Sequence, residues 1–415
     1  MTLTFSFTPA SAPLPVRLPL SKSMAARALV IRAMAGVAPI LALRSICEDT
    51  EHLSAAIDAM MKGKKDAWLG ASGTGLRLFT ALAAATPGVR ITADGIGRLR
   101  ERPLGPLLDI LGCMGADIVA DRDHAPLLIA GRRLHGGDYR VDCSASSQFI
   151  SALMLIGPAC SQPLRLSYDL ENSVSMPYAE LTAAMMKRAG ADIRHYPGVF
   201  AITPGAYDIS RLPDAEADWS AASFFYEMAA LMPPGSRIEI ENLTAPCLSA
   251  QPDSFAAGVF ARLGVCTITE SGSAVLLKEP DVEPGFVELD MGRTPDMVPA
   301  LAVALCLCGR HFRLRNVAHL RVKECDRLEA VAEGMRTLGY KLLVGADTLG
   351  WQGATSTPAR HPVISSFGDH RIAMAFAVAA IRFPSITITG AEAVAKSFPD
   401  FAAQAARAGL NSSLS

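Results

Sequence analysis

The stretch Ala71-Ser72-Gly73-Thr74-Gly75, followed at once by the Ala/Leu-rich run 76–85, shows the arrangement that decides the fold of this chain. A cluster of small, polar or charged residues comes first, and a run of helical composition follows directly. The arrangement occurs six times, at residues 21–23, 71–75, 144–148, 218–223, 293–296 and 368–371. Comparable positions in the last five clusters are 73 to 76 residues apart, whereas the first interval is 51 residues. We therefore expect six repeats of one structural unit.

Each cluster precedes a predicted helix. A helix N-terminus exposes unpaired backbone N–H groups and a partial positive charge, so it is suited to binding an anion. Six such ends in one chain predict that several of them surround one site for a small, highly charged ligand.

Strand-like segments alternate with the helical runs, separated by Gly, Pro or Asp. They lie at residues 89–93, 117–120, 126–130, 164–166, 237–241, 275–277, 286–289, 311–314 and 385–389. Several helices are expected to end on a glycine immediately before a strand, as at Gly115 and Gly190. This pattern predicts an α/β fold with two helices and several strands in each repeat.

The length of 415 residues and the hydrophobic content of 50% allow a large core and favour two domains. Six repeats then give two domains of three. The segment 212–217, which contains Pro213, Asp214 and Glu216, is the best candidate for the crossover between them. We expect residues 21–216 to form the N-terminal domain and residues 217–415 the C-terminal domain, with a strand in residues 1–20 crossing over to the latter.

Composition limits the classes of function. A net charge of −1 and an aromatic content of 6% argue against nucleic-acid binding, so any anion site is local. The nine cysteines are odd in number and scattered, which favours reduced thiols in a cytoplasmic protein. No signal peptide is evident, and no apolar run reaches the roughly 18 residues that a membrane span requires.

The densest charged cluster is Arg321-Val322-Lys323-Glu324-Cys325-Asp326-Arg327-Leu328. If a helix begins here, Lys323 and Arg327 are four residues apart and share a face, with Glu324 beside them. A solvated charged turn is the simpler interpretation. However, further basic residues stand at other predicted helix starts and favour an anion site, because arginine and lysine bind carboxylates and phosphates. These residues are Lys22, Arg27, His370, Arg371 and Lys396.

Four further motifs are weak when taken alone. The basic segment 98–104 could be surface charge, and Ser146-Ser147-Gln148 could simply cap a helix. The loop 70–75 is rich in glycine but fits neither the P-loop nor the dinucleotide pattern. Asp296 could be an N-cap or a buried base, because a carboxylate among cations stays ionised.

Seven segments, in order along nearly the whole chain, resemble the motifs of the 5-enolpyruvylshikimate-3-phosphate synthase (EPSP synthase) family. They are residues 18–29, 69–80, 94–103, 144–149, 321–328, 368–375 and 396–400. The resemblance implies a two-domain inverse α/β barrel with three βαβαββ-type units in each domain. It also implies a monomer without cofactor or metal, in which ligands bind between the domains and draw them closed.

The same resemblance implies a reaction of the shikimate pathway of aromatic amino-acid biosynthesis. The enolpyruvyl group of phosphoenolpyruvate is transferred to the 5-hydroxyl of shikimate 3-phosphate, and phosphate is released. The route is addition to a tetrahedral intermediate followed by elimination.

The resemblance also assigns roles to residues. Asp296 takes the proton of the attacking hydroxyl, and Glu324, helped by Lys22, protonates the methylene carbon and later removes a methyl proton. The residues expected to bind shikimate 3-phosphate are Lys22, Ser23, Arg27, Ser146, Ser147, Gln148, Ser175, Tyr178, Asp296 and Lys323. Those expected to bind phosphoenolpyruvate are Lys22, Gly73, Arg102, Gln148, Arg327, Arg371 and Lys396. Arg77 and Asp49 are expected to support them.

Several positions depart from the family pattern, and two other functions remain open. The departures are Leu20, Ala26, Ala71, Leu78, Met176 and His319. Ala26 and Ala71 would suit a non-catalytic anion-binding paralogue. The related enzyme that transfers enolpyruvyl to UDP-N-acetylglucosamine is the other alternative, but segment 94–103 lacks the reactive cysteine usual in that group.

Glyphosate, which occupies the phosphoenolpyruvate site in this family, should bind weakly. Ala71 replaces an asparagine in the glycine-rich loop and Leu78 replaces a proline, so we expect the loop around Gly73 to be reshaped. The measurement is the inhibition constant for glyphosate in competition with phosphoenolpyruvate. A constant equal to that of sensitive family members would contradict the expectation.

Overall fold

The computed structural model describes residues 1–9, 14–39, 47–212, 214–280 and 285–414. Within these residues the helices are α1 (Lys22–Met34), α2 (Glu48–Met61), α3 (Gly73–Ala85), α4 (Gly105–Cys113), α5 (Gln148–Ile156), α6 (Met176–Arg188), α7 (Trp219–Leu231), α8 (Ala256–Ala261), α9 (Val298–Leu307), α10 (Arg327–Thr337), α11 (His370–Val378) and α12 (Phe401–Arg407). None of these helices combines the length and apolar character that a membrane crossing requires.

The strands in the same residues are β1 (Thr2–Phe7), β2 (Asp66–Trp68), β3 (Arg90–Asp94), β4 (Asp117–Asp121), β5 (His124–Ala130), β6 (Gly137–Arg140), β7 (Leu164–Ser167), β8 (Ile193–Tyr196), β9 (Val199–Ile202), β10 (Arg237–Ile240), β11 (Val265–Glu270), β12 (Ser273–Lys278), β13 (Val287–Asp290), β14 (Phe312–Arg315), β15 (Leu343–Val344), β16 (Thr348–Trp351), β17 (Val363–Ser365), β18 (Ile386–Thr389) and β19 (Leu410–Leu414). Each of the nine predicted strand segments overlaps one of these strands, and each of the six predicted helical runs overlaps a helix. These predictions are confirmed.

The chain folds into two compact units. The N-terminal unit comprises Leu20–Ala215, and the C-terminal unit comprises Met1–Pro19 together with Glu216–Ser415. Strand β1 belongs to the C-terminal unit because it pairs antiparallel with both β18 and β19. Pro213, part of the predicted crossover, lies outside the described residues.

Four sheets share one topology. Their strand orders are β2-β3-β5-β4, β6-β7-β9-β8, β13-β14-β16-β15 and β17-β18-β1-β19. In each, the first pair is parallel and the other pairs are antiparallel. The order along the chain is strand, helix, strand, helix, hairpin, and in the last repeat β1 supplies one strand of the hairpin. The predicted βαβαββ unit is confirmed.

The fifth sheet, β10-β12-β11, has three strands. Val16 forms a parallel bridge with Ile240, so the N-terminal segment takes the place of the parallel edge strand. The shorter first repeat contains α1 and α2, and residues 40–46 between them lie outside the described residues.

In each unit the first helices of the repeats form the core. Helices α1, α3 and α5 pack together in the N-terminal unit, and α7, α9 and α11 do so in the C-terminal unit. Every residue of α11 and all but one residue of α3 and α7 are buried, whereas strands such as β4 and β6 expose alternate residues to solvent. Helices inside and small mixed sheets outside are the arrangement of an inverse α/β fold, as predicted.

One residue of the C-terminal core is unexpectedly acidic. Glu227, in α7, is fully buried, and neither carboxyl oxygen has a hydrogen-bond partner among the described residues. It lies nine residues after the helix cap Asp218, and the equivalent positions after the caps Ser21 and Ser72 are Val30 and Ala81. Burial raises the pKa of Glu227 well above its usual value and so favours the protonated side chain in the folded protein.

Replacing this carboxyl with a hydrocarbon should stabilise the protein. We expect Glu227→Leu to raise the free energy of unfolding near pH 8 by about 1–3 kcal/mol, because a buried polar group without a partner is lost. The raised folded-state pKa adds stability at pH values below the unfolded-state pKa, and this contribution is lost as pH rises toward the folded-state pKa. The gain should therefore be larger near pH 8 than near pH 5, as measured by urea unfolding.

The matched control is Glu333→Leu, which replaces the same side chain at an exposed position of a helix in the same unit. It should leave the pH dependence unchanged. A Glu227→Leu protein that is less stable than wild type near pH 8 would show that the carboxyl has a stabilising partner.

Candidate active site

The start of α1 holds a lysine against an acidic side chain of α2. Ser21 caps α1, and Lys22 is its first residue. Lys22 Nζ donates to Asp49 Oδ2 at 2.9 Å, and the two side chains are 15% and 10% exposed. The Lys22 ammonium is therefore fixed beside the helix start. Asp49 lies where a supporting partner was expected.

The glycine-rich loop, Arg77 and Gln148 form one hydrogen-bonded cluster at the starts of α3 and α5. Arg77 Nη1 donates to the Gly73 carbonyl at 3.2 Å and to Gln148 Oε1 at 2.9 Å. Gln148 Nε2 donates to Thr74 Oγ1 at 2.8 Å. A Cβ built on Gly73 would lie 2.3 Å from Arg102 Nη1, so the Arg102 guanidinium rests directly on this glycine. Gly73, Arg102 and Gln148 are thus brought together.

Arg27 connects a second set of predicted residues. Its Nη1 donates to the Ser23 carbonyl at 2.9 Å, and its Nη2 donates to the Tyr178 carbonyl at 3.0 Å. Its Nε donates to Thr182 Oγ1 at 2.6 Å, and the residue is only 1% exposed. Burial lowers the pKa of Arg27 to about 10, which still leaves it charged at neutral pH. Arg27 therefore ties α1 to α6 beneath Ser23 and Tyr178.

Three of the four predicted serines, Ser146, Ser147 and Ser175, are buried near helix starts, and Ser23 is half-buried. Ser146 Oγ accepts from Gln148 N at 3.2 Å, and Ser147 precedes α5. Ser175 precedes α6 in a left-handed backbone conformation, with φ of 58°. Its hydroxyl is buried without a hydrogen-bond partner among the described residues. A strained residue with an unused buried hydroxyl is a feature of functional sites.

In the C-terminal unit, the Arg327 guanidinium is surrounded by three carboxylates, and we call these four side chains the Arg327 cluster. Arg327 Nε donates to Asp369 Oδ2 at 2.7 Å, Nη1 to Asp296 Oδ1 at 2.9 Å, and Nη2 to Glu324 Oε2 at 2.9 Å. The side chain is 2% exposed. Arg371 Nη2 donates to the other oxygen of Asp296 at 2.8 Å. The starts of α10 and α11 and the turn before α9 are joined in this way.

The prediction that Lys323 and Arg327 share a helix face is wrong. Asp326 caps α10 by accepting from Leu328 N at 3.1 Å and Glu329 N at 3.2 Å, so the helix begins only at Arg327. Lys323 lies before it in an extended conformation, with φ of −84° and ψ of −152°. The strong N-cap at Asp326 is the physical reason.

Charge determines the protonation states around Asp296. Burial opposes its ionisation, but the charges of Arg371, Arg327 and Lys323 outweigh burial and hold the pKa of this carboxyl far below its usual range. Burial and then the charge of Lys323 lower the pKa of His319 to about 3, so that imidazole is neutral. Asp296 is therefore an ionised carboxylate among cations, as its sequence context suggested.

Asp369 has no assigned role in the sequence analysis, yet it is central to the Arg327 cluster. It is fully buried and caps α11 by accepting from Arg371 N at 2.9 Å. The sequence signal for the cap was an aspartate directly before a helical run. Its bond to Arg327 joins residues 42 positions apart and has no local signature.

Four other residues that the sequence analysis singled out are His370, Lys396, Leu78 and Ala71. His370 is 1% exposed, so it does not add to an exposed cationic surface. Lys396 is half-buried at the end of the 3-10 turn Ala391–Lys396. Within the described residues, no hydrogen bond or ion pair joins Lys396 to the Arg327 cluster. Leu78 is buried in the core of the N-terminal unit, whereas Ala71 is half-buried in the loop.

Neither unit offers a metal site in its described part: no three His, Cys, Asp or Glu side chains are grouped there closely enough to hold an ion. The grouped carboxylates of the C-terminal unit surround a guanidinium instead. Each unit thus presents polar side chains and cations at the starts of its buried helices, an arrangement suited to phosphate and carboxylate groups.

Comparison with known proteins gives one consistent result. The family model described as EPSP synthase (3-phosphoshikimate 1-carboxyvinyltransferase) matches residues 59–404. A relative named 3-phosphoshikimate 1-carboxyvinyltransferase, from Bacteroides fragilis, is 38% identical over 392 residues, which cover 93% of each chain. One of the same name from a Nostoc species is 31% identical over 411 residues, covering 93% of this chain and 94% of the relative.

A solved structure of EPSP synthase from Acinetobacter baumannii has a TM-score of 0.72 and covers 100% of both chains. At 22% identity this likeness supports the fold alone. The family match and the near full-length relatives extend the conclusion from the fold to the family. This chain belongs to the EPSP synthase family.

Proposed function

We propose that this chain transfers the enolpyruvyl group of phosphoenolpyruvate to the 5-hydroxyl of shikimate 3-phosphate and releases phosphate. It is then a 3-phosphoshikimate 1-carboxyvinyltransferase of the shikimate pathway. The observation that carries the proposal is the Arg327 cluster, in which the ionised carboxylate of Asp296 and the carboxylate of Glu324 lie on one buried guanidinium. Such a cluster provides an acid, a base and a carboxylate-binding cation together.

The substrates carry two phosphates and two carboxylates, and the two units supply matching groups. In the N-terminal unit, Lys22, Arg102, Gln148 and the Gly73 loop would bind phosphoenolpyruvate, while Ser23, Ser146, Ser147, Ser175 and Tyr178 would bind shikimate 3-phosphate, with Arg27 behind them. In the C-terminal unit, Arg327, Arg371 and Lys396 would bind phosphoenolpyruvate, and Lys323 shikimate 3-phosphate. Hydrogen bonds at helix starts within each unit support the proposal for several of these residues.

Two carboxylates would move the protons. Asp296 would accept the proton of the 5-hydroxyl as that oxygen attacks the phosphoenolpyruvate carbon. Glu324, with Lys22, would deliver a proton to the methylene carbon, and the reverse transfer from the methyl group would accompany loss of phosphate. Cations held in place before the reaction stabilise the charges that develop in the tetrahedral intermediate.

We expect the protein to act as a monomer in the cytoplasm. All nine cysteines are free thiols and five of them are buried, which suits a reducing compartment. The monomer is an expectation from the family resemblance, and size-exclusion chromatography with light scattering would test it.

The activity itself is tested by mixing the protein with shikimate 3-phosphate and phosphoenolpyruvate and following inorganic phosphate. Wild type should release phosphate. Asp296→Asn should bind both substrates but lose turnover by a factor of about 10²–10⁴, the usual contribution of a general base.

The control is Glu288→Gln, an exposed carboxylate of the same unit that is paired with Arg315. It should retain the wild-type rate. If the wild-type protein binds both substrates but releases no phosphate, the non-catalytic paralogue is favoured. Undiminished turnover in Asp296→Asn would show that Asp296 is not the base.

Gly73 should be required for binding phosphoenolpyruvate. In Gly73→Ala the new Cβ meets the Arg102 guanidinium at 2.3 Å, so Arg102 must move. We expect the KM for phosphoenolpyruvate to rise about tenfold through loss of charge-assisted bonds, with little change in the KM for shikimate 3-phosphate. Steady-state kinetics with each substrate varied in turn measures both values.

Gly112→Ala is the matched control. Gly112 lies in α4, and a Cβ there has no neighbouring atom within 4 Å. Equal KM values in Gly73→Ala and Gly112→Ala would mean that Arg102 does not bind the substrate.

A further inference from the structure

Asp296 holds its two arginines as a bound carboxylate ligand would. One oxygen accepts from Arg327 Nη1 at 2.9 Å and the other from Arg371 Nη2 at 2.8 Å. Two guanidinium groups that bind the two oxygens of one carboxylate form a strong, directional anion site. In this structure the protein's own side chain fills that site.

The exposure of the three side chains differs. Asp296 is 24% exposed, whereas Arg327 and Arg371 are 2% and 7% exposed. Asp369, fully buried, and Glu324 also bind Arg327, so that guanidinium stays in place if Asp296 leaves. Rotation of the Asp296 side chain would therefore open the site while Arg327 keeps its two other carboxylates and Arg371 Nη1 keeps its bond to the Asp296 carbonyl at 3.4 Å.

The charges of the surrounding groups balance. Among the ionised side chains, Arg327, Arg371 and Lys323 are positive, and Asp296, Glu324 and Asp369 are negative. Two further titratable side chains lie against Asp369. Cys325 Sγ donates to Asp369 Oδ2 at 3.8 Å, and burial raises the pKa of this thiol, while His370 Nδ1 lies 3.8 Å from Asp369 Oδ1. His319, which also faces this group, is neutral because burial and the charge of Lys323 lower its pKa to about 3. An added carboxylate would leave one uncompensated negative charge in a largely buried place, and uptake of a proton would remove it.

We propose that the Asp296 side chain occupies the place of the phosphoenolpyruvate carboxylate, and that the substrate replaces it on Arg327 and Arg371 with uptake of one proton from solvent by Glu324. This inference rests on the proposed function, in which the two arginines bind that substrate.

The exchange would link substrate binding to activation of the acid and the base. While Asp296 is bound to two arginines it is a poor proton acceptor, and once displaced it can meet the 5-hydroxyl. A proton gained by Glu324 would be the one that the methylene carbon requires. The proton thus enters with the substrate, passes to carbon, and returns to the carboxylate in the elimination step.

The first test is the affinity for phosphoenolpyruvate, measured by titration calorimetry. Asp296→Asn removes the competing carboxylate, so its Kd should be about tenfold lower than that of wild type. The control is Glu329→Gln, which removes an exposed negative charge two residues after Arg327 and outside the cluster. It should change the Kd less than twofold. Equal affinities in wild type and Asp296→Asn would overturn the exchange.

The second test counts the protons taken up on binding, in wild type and in Asp296→Asn. Calorimetry near pH 8, where the phosphate of phosphoenolpyruvate is fully ionised, is repeated in two buffers with different ionisation enthalpies. Wild type should take up about one proton for each ligand bound, and Asp296→Asn close to none, because its cluster begins with one extra positive charge. Binding without proton uptake in wild type would overturn the proposal.

These outcomes separate the exchange from the proposed function. If the wild-type protein turns over both substrates but takes up no proton, and Asp296→Asn does not bind phosphoenolpyruvate more tightly, the proposed function stands and the exchange is wrong. If the wild-type protein does not bind phosphoenolpyruvate at all, both the proposed function and the exchange are wrong.

Discussion

The chemistry of the C-terminal unit depends on burying one arginine. A lone buried guanidinium would be very costly, and the cost is offset only when carboxylates satisfy its N–H groups with good geometry. Asp296, Glu324 and Asp369 do this for Arg327. Removing one partner of such a buried network typically costs about 3–5 kcal/mol, so the cluster fixes the helix starts that carry it. Preorganised charge of this kind is what electrostatic catalysis requires.

The repeat explains why such clusters can form. Each repeat places its first helix in the core, and equivalent helices in a unit bring their N-termini to one end. The contact of Arg371 with Asp296, and that of Gln148 with Thr74, each join two such starts. Residues more than 70 positions apart therefore become neighbours because the chain repeats one fold unit.

The features that recur in every repeat were predictable from the sequence. The cluster-then-helix arrangement located the core helices, and alternation with strands gave the α/β class. Strands such as β2 and β15, with three and two residues, lack a detectable period and were not predicted. The helix start at Arg327 was misplaced because Asp326 competes as a cap. The role of Asp369 and the burial of Glu227 depend on tertiary packing, which no local pattern contains.

The first and last strands of the chain have a consequence for synthesis on the ribosome. Strand β1 pairs Leu3 with Leu414 and Phe7 with Leu410. The N-terminal unit is one continuous segment and can fold as soon as it emerges, whereas this sheet must wait for residues 410–414. Residues 2–7 thus stay unpaired until residues 386–389 and 410–414 have been made, and a chain that lacks residues 410–414 leaves β1 with an open edge available for aggregation.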